Sequence, residues 1–348
     1  KDAEFERLIR QYLGKANGED IHYDDVKLID NIEIWGDVIV KESDIHDDSD
    51  WYWGIAWYGE DSFGLHNGEN YEKNGAIQNL EDIEHFTSLK KLTISHQTNL
   101  DISALGNTES SECLKRLQSL TLASNNITDI WVISKLIALE TLNLNYNNVK
   151  DISPLSMLIE LKIINLDGSD ELASIDELRG LRKLKTVSIS GFTSVDLSIF
   201  LSMPRLSTLN LLRLGEANYN ILPQLESLTS LEIDCDNVNF QFIKQIKTLT
   251  SLRLHGYGTW TENGERIGGL TDISGIGELS NLKTLDLLAP NCNDISPLAS
   301  LGIEKIEIML PEECDLTPLK HLPNLKTVIV SGYGEVWNPN EDDSYIEK

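Results

Sequence analysis

The stretch Leu139–Leu161, LETLNLNYNNVKDISPLSMLIEL, decides the fold. The apolar residues whose spacing matters are Leu139, Leu142, Leu144, Val149, Ile152, Leu155 and Leu158. That spacing follows neither the helical period of about 3.6 nor a sustained alternation of about two. Leu142 and Leu144 alternate as in a short strand. Asn147 offers a side-chain amide where the chain has to turn. Asp151, Ile152, Ser153 and Pro154 open another short element, and Leu155 and Leu158 then point back inward. One such loop cannot bury its own leucines, so it needs a copy above and a copy below.

The copies are present. Taking the first strand leucine of each as a marker gives Leu92, Leu120, Leu142, Ile164, Val187, Leu209, Leu231, Leu252, Leu285, Ile306 and Val328. The steps are 28, 22, 22, 23, 22, 22, 21, 33, 21 and 22. With this L-x-x-L-x-L punctuation the chain resembles the leucine-rich repeat family. The tails Asp129-Ile130, Asp151-Ile152-Ser153-Pro154-Leu155 and Asp294-Ile295-Ser296-Pro297-Leu298 look like the 22-residue internalin-type class of bacterial surface proteins. The resemblance runs from about Leu80 to Val330. It implies an α/β fold: a right-handed solenoid, or horseshoe, with a concave parallel β-sheet, convex 3₁₀ or irregular segments and an N-terminal helical cap. The expected domains are a cap over 1–79, the solenoid over 80–330 and a tail over 331–348.

Of the 348 residues, 29 are Lys or Arg and 56 are Asp or Glu, a net charge of −27. Phosphates would be repelled, which argues against nucleic acid and anionic lipid. No apolar run approaches the roughly 20 residues that span a bilayer, so no membrane insertion is expected. No signal peptide is visible; the chain begins at Lys1 rather than Met, which suggests that an upstream segment was removed. The four cysteines, at 113, 235, 292 and 314, form no disulfide framework or C-x-x-C pattern. Cys292 falls where other copies place Ile127 or Val149 and reads as a buried thiol. Cys314 lies one repeat further on, which leaves a disulfide between the two as the alternative.

The early chain departs from the repeat. Phe5, Leu8, Ile9, Tyr12 and Leu13 share one face of a helix that Gly14 stops. Ile29, Ile32 and Ile34 copy the repeat spacing and mark an atypical first repeat. FERLIRQYLGK resembles the cap helix ahead of many bacterial leucine-rich repeats, and a solenoid's bare end requires such a cap. ESDIHDDSD (42–50) lacks the register of a calcium hand and reads as a solvated acidic turn. Trp51, Trp53, Ile55 and Trp57 alternate as on a strand. They either seal the end of the core or form an exposed stacking platform. Two copies are lengthened, the first by GNTESSEC (106–113), the eighth by HGYGTWTENGERIGG (255–269).

The repeat's asparagine survives only as Asn125 and Asn147. Gln97, Ser169, Phe192, Leu214, Asp236, Tyr257, Pro290, Pro311 and Tyr333 replace it elsewhere, so the asparagine column must be broken or substituted. Gly191-Phe192, Gly256-Tyr257 and Gly332-Tyr333 suggest a glycine taking the turn and a ring filling the space.

Residues alternating with the strand leucines face the concave side. The early copies present small polar residues there, such as Ser95, Thr121, Asn143 and Ser188. The later ones mix charge with apolar intruders. The expected binding surface is Asn210, Leu212, Asp234, Arg253, His255, Asp286, Leu288 and Met309, with Tyr257 and Trp260 leaning over it from the long loop. No H-E-x-x-H, G-x-S-x-G, G-x-x-x-x-G-K or G-x-G-x-x-G occurs, and His255 near Glu232 is the nearest approach to an acid–base pair. These readings give a non-enzymatic scaffold without cofactor or metal, a monomer that binds a protein or a carbohydrate. Its expected location is the cell surface or the extracellular medium. The alternatives are a cytoplasmic regulatory subunit resembling phosphatase-targeting leucine-rich repeat proteins, or the targeting arm of a larger enzyme.

Overall fold

The structure is a computed structural model that describes residues 2–40, 55–57, 63–65, 70–71, 74–107, 114–235, 240–260, 266–330 and 335–337. The acidic turn 42–50, Trp51, Trp53, most of the 106–113 insertion and Gly332-Tyr333 lie outside the described residues. The chain divides into two compact units, Lys1–Leu184 and Lys185–Lys348.

In the first unit the strands are β1 (Asn31–Trp35), β2 (Val38–Val40), β3 (Ile55–Trp57), β4 (Phe63–Leu65), β5 (Asn70–Tyr71), β6 (Lys91–Ser95), β7 (Ser119–Thr121), β8 (Thr141–Asn143) and β9 (Ile163–Leu166). β1, β6, β7, β8 and β9 pair in parallel, each with the next, so that Ile32, Leu92, Leu120, Leu142 and Ile164 stand on successive rungs. Those five side chains are at most 1% exposed. The repeat spacing at Ile29–Ile34 therefore does produce a first rung. β2 folds back antiparallel onto β1 and covers the edge that the first rung would otherwise leave open. β3, β4 and β5 form a separate antiparallel sheet.

The cap is a helix, α1 (Ala3–Leu13), which buries Phe5, Leu8 and Ile9. Asp2 starts it: one carboxylate oxygen accepts from the Glu4 and Phe5 amides at 3.0 and 2.9 Å. The other oxygen accepts from the Gln78 and Asn79 amides at 2.8 and 3.1 Å, which ties the helix to the start of the repeats. Gly14 ends it at φ +68°, a left-handed conformation that glycine adopts without steric cost. Tyr12 and Leu13, expected on the buried face, are only half-buried because the helix meets the core through its first two turns.

In the second unit the strands are β10 (Thr186–Ser190), β11 (Ser194–Val195), β12 (Thr208–Leu212), β13 (Glu216–Ala217), β14 (Ser230–Asp234), β15 (Ser251–His255), β16 (Thr259–Trp260), β17 (Arg266–Ile267), β18 (Thr284–Leu288), β19 (Lys305–Met309), β20 (Thr327–Val330) and β21 (Glu335–Trp337). The order β10-β12-β14-β15-β18-β19-β20 is parallel throughout. It aligns Val187, Leu209, Leu231, Leu252, Leu285, Ile306 and Val328 rung by rung. β21 closes the far edge antiparallel to β20.

Each rung returns through a 3₁₀ turn such as Trp131–Lys135, Ser153–Met157, Ser274–Glu278 or Thr317–His321. The aspartates of the repeat tails start these turns. Asp129, Asp151, Asp272 and Asp294 each accept from the amide two residues on at 2.8 Å, and Asp315 does so at 2.9 Å. This local bond satisfies an amide that the short 3₁₀ segment cannot pair internally.

The residue four after the marker takes positive φ in successive copies: His96, Ser124, Tyr146 and Gly168 in the first unit, Gly191 and Arg213 in the second. Beside these turns lies a ladder of buried amides. Asn147 Oδ1 accepts from the Asn125 and Ile127 amides at 3.1 and 3.0 Å, and its Nδ2 donates to the Leu122 and Leu144 carbonyls at 2.7 and 2.9 Å. Asn125 Oδ1 accepts from the Gln97 amide at 2.8 Å. Gln97 Oε1 accepts from the Ile77 amide at 3.0 Å, and its Nε2 donates to Gly36 O at 2.8 Å. Gln97 thus substitutes for asparagine, its longer arm reaching the irregular first rung. The ladder stops at Ser169, whose hydroxyl is fully buried with no hydrogen-bond partner among the described residues.

In the second unit Phe192 is 2% exposed and follows Gly191 at φ +85°, as expected of a glycine-plus-ring substitute. Gly256-Tyr257 works otherwise. Gly256 is not left-handed; a Cβ there would stand 2.4 Å from Leu270 Cβ, so glycine serves the close approach of the returning loop. Tyr257 is half-exposed. Cys235, Cys292 and Cys314 are buried free thiols, which settles the alternative at Cys292 and Cys314 against a disulfide.

Candidate recognition surface

The second unit's parallel register lines up two rows on the inner sheet face. One contains Ser188, Asn210, Glu232, Arg253, Asp286 and Glu307. The other contains Ser190 beside Leu212, and Asp234, His255, Leu288 and Met309 in succession. The sequence therefore places these residues side by side, one strand spacing of roughly 4.8 Å apart.

A charged network occupies the middle of the first row. Arg253 Nε donates to Asp286 Oδ2 at 2.5 Å, and Arg253 NH1 lies 3.7 Å from Glu232 Oε1. The same Glu232 oxygen is 2.8 Å from His255 Nε2. Burial pushes the Glu232 carboxyl up, but the His255 hydrogen bond and the Arg253 charge outweigh it and hold the group below the usual carboxylate range. Burial also pulls Arg253 down, and the Asp286 and Glu232 carboxylates more than reverse it. Asp286 goes the other way despite its ion pair. It is only 6% exposed, so burial raises it, Arg253 offsets that in part, and Glu307 on the next rung adds to the rise. Like charges opposite each other on neighbouring strands oppose ionisation.

The second row supplies apolar contact. Leu212, Leu288 and Met309 are half-buried on this face. Asp234 stands between, near the deeply buried Tyr219, whose hydroxyl is pushed up to about 12 by burial, with Asp234 and Cys235 adding to the rise. The Tyr257 ring lies 6.0 Å from that of His255, centre to centre. The long loop leaves the end of β15 as a hairpin in which Thr259 pairs with Ile267 and Trp260 with Arg266. The Trp260 side chain lies outside the described residues, as do 261–265. Asn291 Nδ2 anchors the hairpin's return by donating to Gly268 O at 2.6 Å.

The structure brings together Arg253, His255, Tyr257, Asp286, Leu288 and Met309. Asp234 adjoins them beside His255, and Asn210 and Leu212 lie further along the same face. Two residues at the centre, Glu232 and Glu307, are absent from the expected binding set; the repeat spacing could have found them, since they share Arg253's strand position. The small polar residues expected to line the face are mostly not accessible. Ser95, Asn143, Asn165, Ser188 and Ser190 are at most 3% exposed. Among the described residues no group of three or more His, Cys, Asp or Glu is placed to hold a metal ion, and no helix is long and apolar enough to cross a membrane.

The leucine-rich repeat family matches this sequence in two overlapping segments, 115–156 and 137–180, each spanning two copies of the repeat. No curated protein sequence matches the chain. A leucine-rich repeat protein of Leptospira interrogans superposes with a TM-score of 0.50 at 23% identity, covering 74% of this chain and 64% of that one. An internalin of Listeria monocytogenes gives a TM-score of 0.48 at 19% identity, over 94% of both chains. The InlJ functional domain of the same bacterium, described as including a cysteine ladder, gives 0.46 at 18%. Residues 115–180 thus carry leucine-rich repeats, and the Leptospira structure shares the repeat fold across 74% of the chain.

Proposed function

We propose that this protein is a non-enzymatic recognition module that binds a protein partner through the inner face of its second unit, with Tyr257 at the start of the 255–269 loop taking part. The supporting observation is the two-row arrangement itself. Half-buried Leu288 and Met309 lie on the same two rungs as Asp286 and Glu307, one and two rungs from Arg253. Apolar contact next to a held guanidinium is the composition that protein interfaces favour at their centres. The resemblance to internalin-type repeats supports display on a cell surface or release from the cell; fractionating the source cells tests that directly.

With the chain immobilised as bait for proteins of its natural surroundings, Leu288→Asp weakens capture at least about ten-fold. Its melting temperature stays that of the unaltered chain, because the side chain projects from the sheet rather than into the core. Full capture by the Leu288→Asp chain would place the binding surface elsewhere.

A further inference from the structure

The first unit carries a second concavity that the recognition face does not explain. It has a volume of about 550 Å³ and is formed by residues 28–30, 87–90 and 115–118, with Ala138 at its margin. It lies on the flank from which β1, β6 and β7 begin. Lys90 and Arg116 line it, and Asp30 is the one carboxylate among the described residues that form it.

The cations are the unusual part. In this acidic chain many described basic side chains of the same unit sit in ion pairs: Lys150 with Glu171 at 2.5 Å, Lys162 with Glu140 at 2.6 Å, Lys183 with Glu160 at 2.5 Å. Lys90 and Arg116 make no ion pair among the described residues and are both exposed. Glu140, on a neighbouring rung, is already occupied by Lys162. The overall charge of −27 does not forbid an anion here. At physiological ionic strength charges beyond about 8 Å are largely screened, so the local cations set the potential. Leu28, on the rim, is 77% exposed, more than any other large apolar side chain described.

We propose that this cavity binds an organic oxyanion, a carboxylate or a phosphate ester. Arg116 and Lys90 hold the anionic oxygens and Leu28 receives the ligand's apolar part. The guanidinium offers paired donors that match either oxyanion. Its volume falls within the range of small-molecule sites.

Calorimetric titration of the whole chain at physiological ionic strength with phenyl phosphate and with phenylacetate tests this. Binding of either supports the site, and the one that binds names the source of the oxyanion. Arg116→Gln then weakens binding about ten-fold and Leu28→Ser weakens it less, while Lys150→Gln, which breaks an ion pair elsewhere in the unit, changes nothing. These exposed substitutions leave the melting temperature in place. Absence of binding by both probes at about 10 mM, or binding indifferent to Arg116→Gln, overturns the proposal.

Discussion

At the scale of the residue, the amide ladder shows how much one side chain carries. Asn147 closes bonds to backbone groups of two neighbouring turns, all of them buried from water. Asn147→Leu leaves those donors and acceptors unpaired and is expected to cost at least about 3 kcal/mol, measured as a lowered urea midpoint. An unchanged midpoint would mean that the ladder is incidental. The sequence marked Asn125 and Asn147 as special and required the column to be replaced elsewhere. It did not say that Gln97 would continue it and Ser169 end it, because both facts depend on how far a neighbouring turn stands away. The left-handed position was announced by Gly191 but hidden elsewhere: Ser124, Tyr146 and Arg213 are not residues whose type announces positive φ.

At the scale of the element, the 3₁₀ turns owe their starts to aspartate. The Ser153 amide and hydroxyl hold Asp151 below the usual carboxylate range, and Ser274 does the same for Asp272. A depressed carboxyl adds stability that is fully present above its unfolded value of 3.8 and is lost as pH falls through the folded value. Asparagine accepts the same bond without titrating. The double variant Asp151→Asn, Asp272→Asn should therefore lose less of its melting temperature between pH 5 and about pH 3 than the unaltered chain. Parallel pH profiles would remove this role for the caps. The strands and turns were readable because a leucine every 22 residues leaves one arrangement that buries them all. The edge strands β2 and β21 were not readable. Each is three residues long, and its pairing is fixed by the bare edge beside it rather than by its own pattern.

At the scale of the whole molecule, stacking converts a sequence period into a surface. Residues 21 to 33 apart become neighbours, which is how Glu232, Arg253 and Asp286 come to share one network. The candidate face was legible as a set of outward positions. Its centre was not, since the choice of Glu232 as shared acceptor depends on side-chain reach across rungs. The most direct measurement is photo-cross-linking from a benzophenone amino acid placed at Met309 on the inner face, and in a separate chain at Ser300 on an outer turn, with the same mixture of proteins from the natural surroundings. A discrete protein adduct from Met309, absent from Ser300 and lost when Leu288→Asp is added, is the predicted result. An adduct from Ser300 alone, or one from Met309 that survives Leu288→Asp, would contradict recognition through the inner face.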